Sequence, residues 1–427
     1  MKRKLPPAAW ILIAMVLGIL IGYMIFTNFP DKKSATQIAG YISIMSDVFL
    51  RLIKMIIAPL VFSTLVVGIA HMGDTASIGR IGVKTMAWFI TASLASLLLG
   101  LLMVNLLRPG EALNLPLPDA SASANLKVAS ISFKEFVTHL VPRSAFEAMA
   151  NNEILQIVVF SGFFGAAAAA LGDKAKAMID WVEQLSQVML KITGYVMALA
   201  PIAVFAAMAS VVTTSGLGIL VTYGKFVFEF YFSLVLLWAL LAFAGWLFLH
   251  DRVFPLLRWI REPVLLSFTT ASSEAAYPKT LENLERFGAK KKIVSFVLPL
   301  GYSFNLDGSM MYCTFAVLFI AQAYSIQLTL LQQVTMLLIL MVTSKGMAGV
   351  PRASLVVIAA TLATFNIPEA GLLLIMGVDQ FLDMGRSATN VVGNSIATAV
   401  VAKWEGELGA GEDAPGRRRA AAAAAAR

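Results

Sequence analysis

Runs of roughly eighteen or more apolar residues recur along most of this chain, and a polypeptide with that pattern folds by giving them to a lipid bilayer. Of its 427 residues 59% are hydrophobic and only 14% charged. Inside hydrocarbon each backbone N–H and C=O must be bonded within its own segment, so the spans read as helices and the class as an all-α polytopic membrane protein. Candidate spans occupy residues 7–28, 41–70, 84–107, 153–172, 183–213 and 220–249. A net charge of +8 would point to nucleic acid in a soluble chain. Here the cations follow the even-numbered spans, at Arg80 and Lys84, at Lys174 and Lys176, and at Arg252, Arg258 and Arg261. Topology accounts for them: these loops and the N-terminus are read as cytoplasmic, and no nucleic-acid partner is implied. Cys313 is the single cysteine, and His71, His139 and His250 lie far apart. Neither a disulfide framework nor a transition-metal site is expected. The opening Met-Lys-Arg-Lys and its apolar run resemble a signal peptide, but the run passes Phe26 without a small-residue cleavage site.

The next segment departs from this pattern. Residues 262–285 lie between Arg258 and Arg261 on one side and Arg286 and Lys290 to Lys292 on the other, so both ends belong in the cytoplasm. About 24 residues of helix, at ~1.5 Å each, cross a ~30 Å core only once. The segment must enter and return, as a re-entrant hairpin with its tip at 267–278. Parity repeats the argument further on. If 293–322 runs outward and the last span ends inward at Lys403, residues 329–365 form a second hairpin, entering from outside with its tip at 344–351. Irregular backbone at membrane depth survives where it lines a cavity, so two tips meeting from opposite faces predict a site at the midplane between gates.

Four short stretches carry the chemistry: TTASSEAAYP at 269–278, NLDGS at 305–309, TSKGMAGVP at 343–351, and one face of the last span. That face holds Asp379, Asp383, Arg386, Ser387, Asn390 and Asn394 at helical spacing. Polar groups in a hydrophobic span persist where they meet each other, water or a ligand. Asn305 and Asp307 precede Gly308, which predicts an unwound helix whose freed carbonyls and carboxylate suit a small hard cation. Ser272, Ser273 and the helix ends at the tips offer donors to an anion. The fork of Arg386 matches a carboxylate, and Asp383 one turn away matches an ammonium. Structural alternatives stand beside each reading. Arg386 and Asp383 can neutralise one another. Asp307 can cap a helix, the serines can cap a hairpin, and Gly346 and Gly349 can serve packing. Arg51 and Lys54 read as interfacial snorkelling residues.

Together with RLIKMIIAPLVFSTLVVGIA at 51–70, these stretches resemble the glutamate/aspartate transporter family, the dicarboxylate/amino acid:cation symporters that include archaeal aspartate transporters and excitatory amino acid transporters. The resemblance covers roughly residues 1–408. It implies eight transmembrane helices plus two re-entrant helical hairpins, an elevator mechanism and a homotrimer in the bilayer. It divides the chain into scaffold spans at 1–83 and 153–213, a third span at 84–107 that moves with the transport domain, and an external loop at 108–152. The rest of the transport domain occupies 214–408, with hairpins at about 255–288 and 329–365, span seven at about 293–322 and span eight at about 369–405. Residues 409–427, with their polyalanine run, are expected to be disordered.

Residue by residue, the resemblance implies that Arg386 binds the distal carboxylate of the substrate with Ser309 nearby, and that Asp383 binds its amino group with Ser387. Asn390 would hold the α-carboxylate, helped by Ser272 and Ser273. Gly301, Asn305, Asn390 and Asn394 would line one cation site, Asn305, Asp307 and Ser93 a second, and the carbonyls around Ser344 and Met347 a third. This chain departs from the family at Asn394 in place of Asp, Ala92 in place of Thr, and Leu306 in place of Met. Cys313 stands where animal relatives carry a protonatable glutamate, and Arg352 is a charge without an assigned role. Glu274, in the first tip where the archaeal members have serine, is a candidate proton site.

The sequence thus predicts an inner-membrane symporter for glutamate or aspartate with cytoplasmic termini. It would be driven by protons, sodium or both, and would carry no organic cofactor. The alternative is a C4-dicarboxylate symporter of the same fold, which Asp383 disfavours. An ion channel or a membrane-embedded enzyme is a further alternative, but Ser272 and Ser273 have no histidine or second cysteine near them in sequence.

Overall fold

The computed structural model describes residues 7–29, 31–70, 75–111, 138, 141–217, 223–343, 353–376 and 378–411, and these are all helix and connection without a strand. Helices α1 (Pro7–Asn28), α2 (Lys32–Ala70) and α3 (Thr75–Leu107) are followed by the short α4 (Ala145–Ala150) and by α5 (Ile154–Leu171), α6 (Lys176–Met197) and α7 (Ala200–Ser215). Next come α8 (Gly224–Leu249), α9 (Val253–Thr270), α10 (Ser273–Phe287), α11 (Lys291–Phe304) and α12 (Asp307–Ala323). The chain ends in α13 (Leu330–Thr343), α14 (Ala353–Thr364), α15 (Leu372–Met376) and α16 (Asp379–Trp404). Among the described residues, six helical stretches are long and apolar enough to cross a membrane.

Two packing neighbourhoods emerge. Helix α1 lies along α7, and α2 lies against α5, α6 and α7. The α1–α7 approach is close because Gly18 and Gly22 are one turn apart: a Cβ at either would stand 2.6 Å from a carbonyl oxygen of α7. Small residues at this spacing are how helices pack in lipid, where dispersion replaces the hydrophobic effect. In the second neighbourhood α16 is surrounded by α8, α9, α10, α11 and α12, and α12 also packs on α3 and α14. The two meet where α2 touches α10 and α11, and where α1 and α7 touch α9.

The breaks in the helices are where local chemistry dictates. The span expected over 183–213 is instead two helices, α6 and α7, divided before Pro201 in the first turn of α7. Proline lacks the N–H that would continue the ladder and disfavours helical backbone in the residue before it. Likewise the expected last span, 369–405, opens with a 3-10 turn at Glu369–Gly371 and the short α15 before α16 begins. Over the first expected hairpin the chain forms two helices, α9 and α10, joined by a tight turn. Ala271, in left-handed backbone at φ 49°, turns the chain, and Ser272 N–H donates to Ser267 O at 3.1 Å. At the open end Arg252 Nη2 donates to Phe287 O at 3.3 Å, so the two helices leave from the same end. Helices α13 and α14 flank the second expected tip, and residues 344–352, with Ser344, Met347 and Arg352, lie outside the described residues.

That open end is held by the turn that follows α16. Glu405, its side chain only 4% exposed, pairs with Arg80 at 2.9 Å and Lys84 at 2.6 Å, tying α16 to α3. Glu407 pairs with Lys290 and Lys292, and Lys290 N–H donates to Glu407 O at 3.1 Å. Gly409 N–H donates to Gly288 O at 2.8 Å, and Arg252 reaches Gly409 O at 2.7 Å. The tail expected to be disordered from 409 is therefore anchored through its first residues. Burial pushes the Glu405 carboxyl up, but hydrogen bonds from Arg80 and Lys84 outweigh it and hold the group below the usual carboxylate range. Hydrogen bonds from Lys290 and Lys292 do the same for Glu407.

A carboxyl depressed on folding adds stability that is complete above its unfolded pKa of about 4.3 and lost as pH falls through the folded value. Thermal unfolding in detergent should therefore soften below about pH 4.3. A Glu405→Gln, Glu407→Gln variant should be less stable at neutral pH by about 1 kcal/mol and lose less on acidification. An acid-side slope identical to wild type would assign that loss to other carboxyls.

Candidate substrate and cation site

Asn305 and Leu306 leave the helical region, at φ −117° and ψ 66° for Asn305 and φ −98° and ψ 60° for Leu306, and separate α11 from α12. The unwinding expected from NLDG is present. It leaves the first N–H groups of α12 without partners on their own helix, in a site that is buried throughout. Asn390 of α16 supplies the acceptor: Gly308 N–H and Ser309 N–H donate to its Oδ1 at 2.9 and 3.3 Å. Its Nδ2 donates to Ser309 Oγ at 3.2 Å. Asn390, expected to face the substrate, thus also splices the broken helix to α16.

On one side of this splice lies the charged pair. Arg386 Nε donates to Asp383 Oδ1, Nη1 to Ser309 Oγ at 3.0 Å and Nη2 to Ser387 Oγ at 3.2 Å. The side chains of Arg386 and Asp383 are 15% and 11% exposed, so the guanidinium keeps an outlet from an otherwise closed pocket. The structure thereby brings together Ser309, Asp383, Arg386, Ser387 and Asn390, and it realises the mutual pairing of Arg386 with Asp383 as well. Tyr231 of α8 donates to Phe381 O at 2.6 Å and packs edge-on against Phe268, in the last turn of α9 before the first tip. In that tip Ser272 accepts from Ala275 N–H at 3.3 Å, capping α10, with Ser273 and Glu274 half-buried after it. Glu274 occupies the first turn of α10, where unpaired N–H groups favour an anion.

On the other side lies an oxygen-rich cluster. Asn305 Nδ2 donates to Asp307 Oδ2 at 3.0 Å and to Asn394 Oδ1 at 3.2 Å, and all three residues are fully buried. Asn305 Oδ1 has no hydrogen-bond partner among the described residues. Two glycines let the backbone come this close: a Cβ at Gly393 would stand 1.9 Å from Asp307 Oδ2, and one at Gly301 would stand 2.3 Å from Asn394 Oδ1. Ser93 is buried on α3, which faces α12. Sequence reasoning missed Ser96, whose Oγ lies 3.3 Å from Asp307 Oδ1, because one serine on an apolar helix carries no motif. It also missed Tyr312, which donates to the buried Asp379 at 2.6 Å.

The model of the sodium:dicarboxylate symporter family matches residues 8–404. The chain belongs to that family. The symporter is 39% identical over 411 residues to a proton/sodium-glutamate symport protein of Geobacillus stearothermophilus, covering 95% of this chain and 96% of the relative. It is 41% identical over 425 residues to a C4-dicarboxylate transport protein of Cupriavidus taiwanensis, covering 95% of each, and 42% identical over 408 residues to one of Cupriavidus necator, covering 93% and 91%. Membership makes the chain a cation-coupled, multi-pass membrane symporter and not an enzyme. The hard oxygens around Asp307 suit an alkali cation.

Because Gly393 touches the Asp307 carboxylate, Gly393→Ala must displace it. The expected result is a symporter destabilised by about 1–3 kcal/mol, with sodium-dependent uptake lost. Unchanged melting and uptake would mean that the carboxylate is not held where Gly393 admits it.

Proposed function

We propose that this symporter imports acidic amino acids, glutamate or aspartate, driven by sodium and protons together. The observation that carries the substrate reading is the pairing of Arg386 with Asp383 inside one pocket that also holds Ser309, Ser387 and Asn390. A buried guanidinium beside a carboxylate complements a ligand that carries both a carboxylate and an ammonium. In this reading the substrate's distal carboxylate takes Arg386 from Asp383, its ammonium takes Asp383, and Asn390 Nδ2 with the Ser272–Ser273 tip receives the α-carboxylate. A C4-dicarboxylate is the second reading, favoured by the relatives of that name. It has no ammonium to occupy Asp383, which would face added negative charge.

The movement we infer is an elevator. Helices α1, α2, α5, α6 and α7 would form a scaffold, within a homotrimer in a bacterial inner membrane with both termini cytoplasmic. Helices α3 and α8 to α16 would carry the site across. Eight spans and two re-entrant hairpins follow if α9–α10 and α13–α14 each enter and return. Support comes from the packing, since α16 packs against α3, α8 to α12 and α15 of its own group and α9–α10 opens toward the anchored C-terminal turn. Glu274 is the proposed proton carrier, in the tip and within electrostatic reach of the buried Tyr302.

Purified protein in liposomes, with imposed sodium or proton gradients and labelled glutamate, aspartate, succinate or serine, tests the reading. Arg386→Ala should lower uptake of acidic substrates about 100-fold or more, consistent with ~2–5 kcal/mol for stranding a buried charge. Near wild-type aspartate uptake in that variant would refute the substrate assignment. Asp383→Ser should weaken amino acids more than succinate, and equal losses would point to a structural ion pair.

A separate experiment addresses the proton. Glu274→Gln should abolish the response of net uptake to an inward proton gradient while sparing exchange of internal for external substrate. Proton-driven uptake that persists in Glu274→Gln would remove Glu274 from the coupling.

A further inference from the structure

We propose that Tyr302 and Tyr277 form a proton exit, passing the coupling proton from Glu274 in the first tip to a charged cavity beside α10 through their hydroxyls and interleaved water. The inference rests on the reading of Glu274 as proton carrier and supplies the route by which its proton leaves.

Glu274, Tyr277, Leu281 and Glu285 recur at helical spacing on one face of α10. Tyr302 of α11 packs edge-on against Tyr277, with the ring centroids 5.2 Å apart. Both tyrosines are buried, at 4% and 2% exposure, where α10 and α11 meet α2. Neither phenolic oxygen has a hydrogen-bond partner among the described residues. The hydroxyls of Thr64 on α2 and Thr280 on α10 are close to Tyr277 and Tyr302, but outside hydrogen-bond geometry. Each threonine gives its hydrogen to its own helix, Thr64 to Leu60 O at 2.7 Å and Thr280 to Ala276 O at 2.8 Å. Two unpaired phenols side by side in a closed interior are costly, and buried polar groups in that condition are met by ordered water. A phenol both donates and accepts, so phenols with water between them make a continuous hydrogen-bonded line.

The line ends at a cavity of about 770 Å³ between α6 and the α9–α10 pair. Pro278, Leu281 and Glu285 line it, together with Lys191 of α6 and Glu262 of α9. The cavity therefore reaches the residue next to Tyr277, and it lies at the end of α10 read as cytoplasmic. Glu285 Oε1 is buried there and has no hydrogen-bond partner among the described residues. The charges that bear on Glu285 are Lys291 of α11 and Glu282 of its own helix. Glu285 in turn bears on Tyr277, and Glu274 on Tyr302, so the two carboxyls address the two ends of the tyrosine pair. Transfer is a shift of O–H bonds only. The Glu274 acid releases its proton and becomes a carboxylate. Each water and phenol along the line takes up one proton and releases another, so both tyrosines stay neutral, and Glu285 or water in the cavity receives the last.

The test uses the purified full chain in liposomes that enclose a pH-sensitive dye, with whichever of labelled aspartate and succinate the wild type carries. Net uptake and inward proton flux under an imposed proton gradient are compared with exchange of internal for external substrate, for wild type, Tyr277→Phe, Tyr302→Phe and Glu274→Gln. Phenylalanine keeps each ring and strands no partner, so both tyrosine variants should melt like wild type. Each should lower net uptake and proton flux about 10-fold or more, while exchange, in which the proton stays bound, keeps its wild-type rate. Wild-type net uptake in either tyrosine variant, with coupling lost in Glu274→Gln, overturns the relay and keeps Glu274 as carrier. Proton-driven uptake that persists in Glu274→Gln overturns both. Equal slowing of net uptake and exchange would assign the tyrosines to packing, and a wild type without proton flux would remove the proton reading altogether; either result overturns the relay.

Discussion

A helix broken inside a dry bundle has to find partners for the ends it creates, and the rest of this structure depends on how that is done between Phe304 and Asp307. The N–H groups opening α12 are met by Asn390 from α16, and Asn305 at the end of α11 reaches both Asp307 and Asn394. These bonds fix α16 against both half-helices, in register with the break. They make α16 the axis of its neighbourhood, buried from Leu382 to Ala402 apart from Arg386. Removing polar groups from either side would strand their partners in a medium where an unpaired polar group costs several kcal/mol in the extreme.

The same splice separates two kinds of chemistry by only a turn or two of α16. Toward its start is a guanidinium bonded to a carboxylate and to two hydroxyls, with both signs of charge side by side. Toward its middle are amide, hydroxyl and carboxylate oxygens, hard donors of the kind that suit a bare cation. Ser309 and Asn390 belong to both, since Ser309 accepts from Arg386 while Asn390 holds the first turn of α12 beside Asp307. In the proposed reading, an ion drawing Asp307 and Asn305 toward itself would pull on the groups that orient Arg386. Linked binding of solute and ion needs only such a shared element, and by reciprocity each would tighten the other.

Far from the site, the turn after α16 performs a different task. Glu405 and Glu407 gather cations from α3 and from the start of α11, and Arg252 bonds backbone from two segments at the open end of the α9–α10 hairpin. Helices whose polar ends are collected in this way share their displacements. The two neighbourhoods meet through helix surfaces of α1, α2, α5 and α7 against α9, α10 and α11, and through the Lys291–Glu183 ion pair at 3.7 Å.

The sequence by itself determined the solvent and where the chain turns. Apolar runs called for a bilayer, and the cations flanking 262–285 called for a chain that turns back within that segment, where α9 and α10 are joined by a tight turn. It also determined the break at NLDG and the identity of the charged face, since Gly308 and the spacing of Asp383, Arg386, Ser387, Asn390 and Asn394 are local facts. It mistook 183–213 for one helix, because apolar composition outweighed the effect of Pro201 on its own turn. Only the tertiary structure decided that Asn390 spends its oxygen on α12, that Ser96 lies beside Asp307, and that Tyr312 bonds Asp379. Each of these depends on distances between residues far apart in the chain, and a hydroxyl on an apolar helix carries no sign of its partner until the helices are packed.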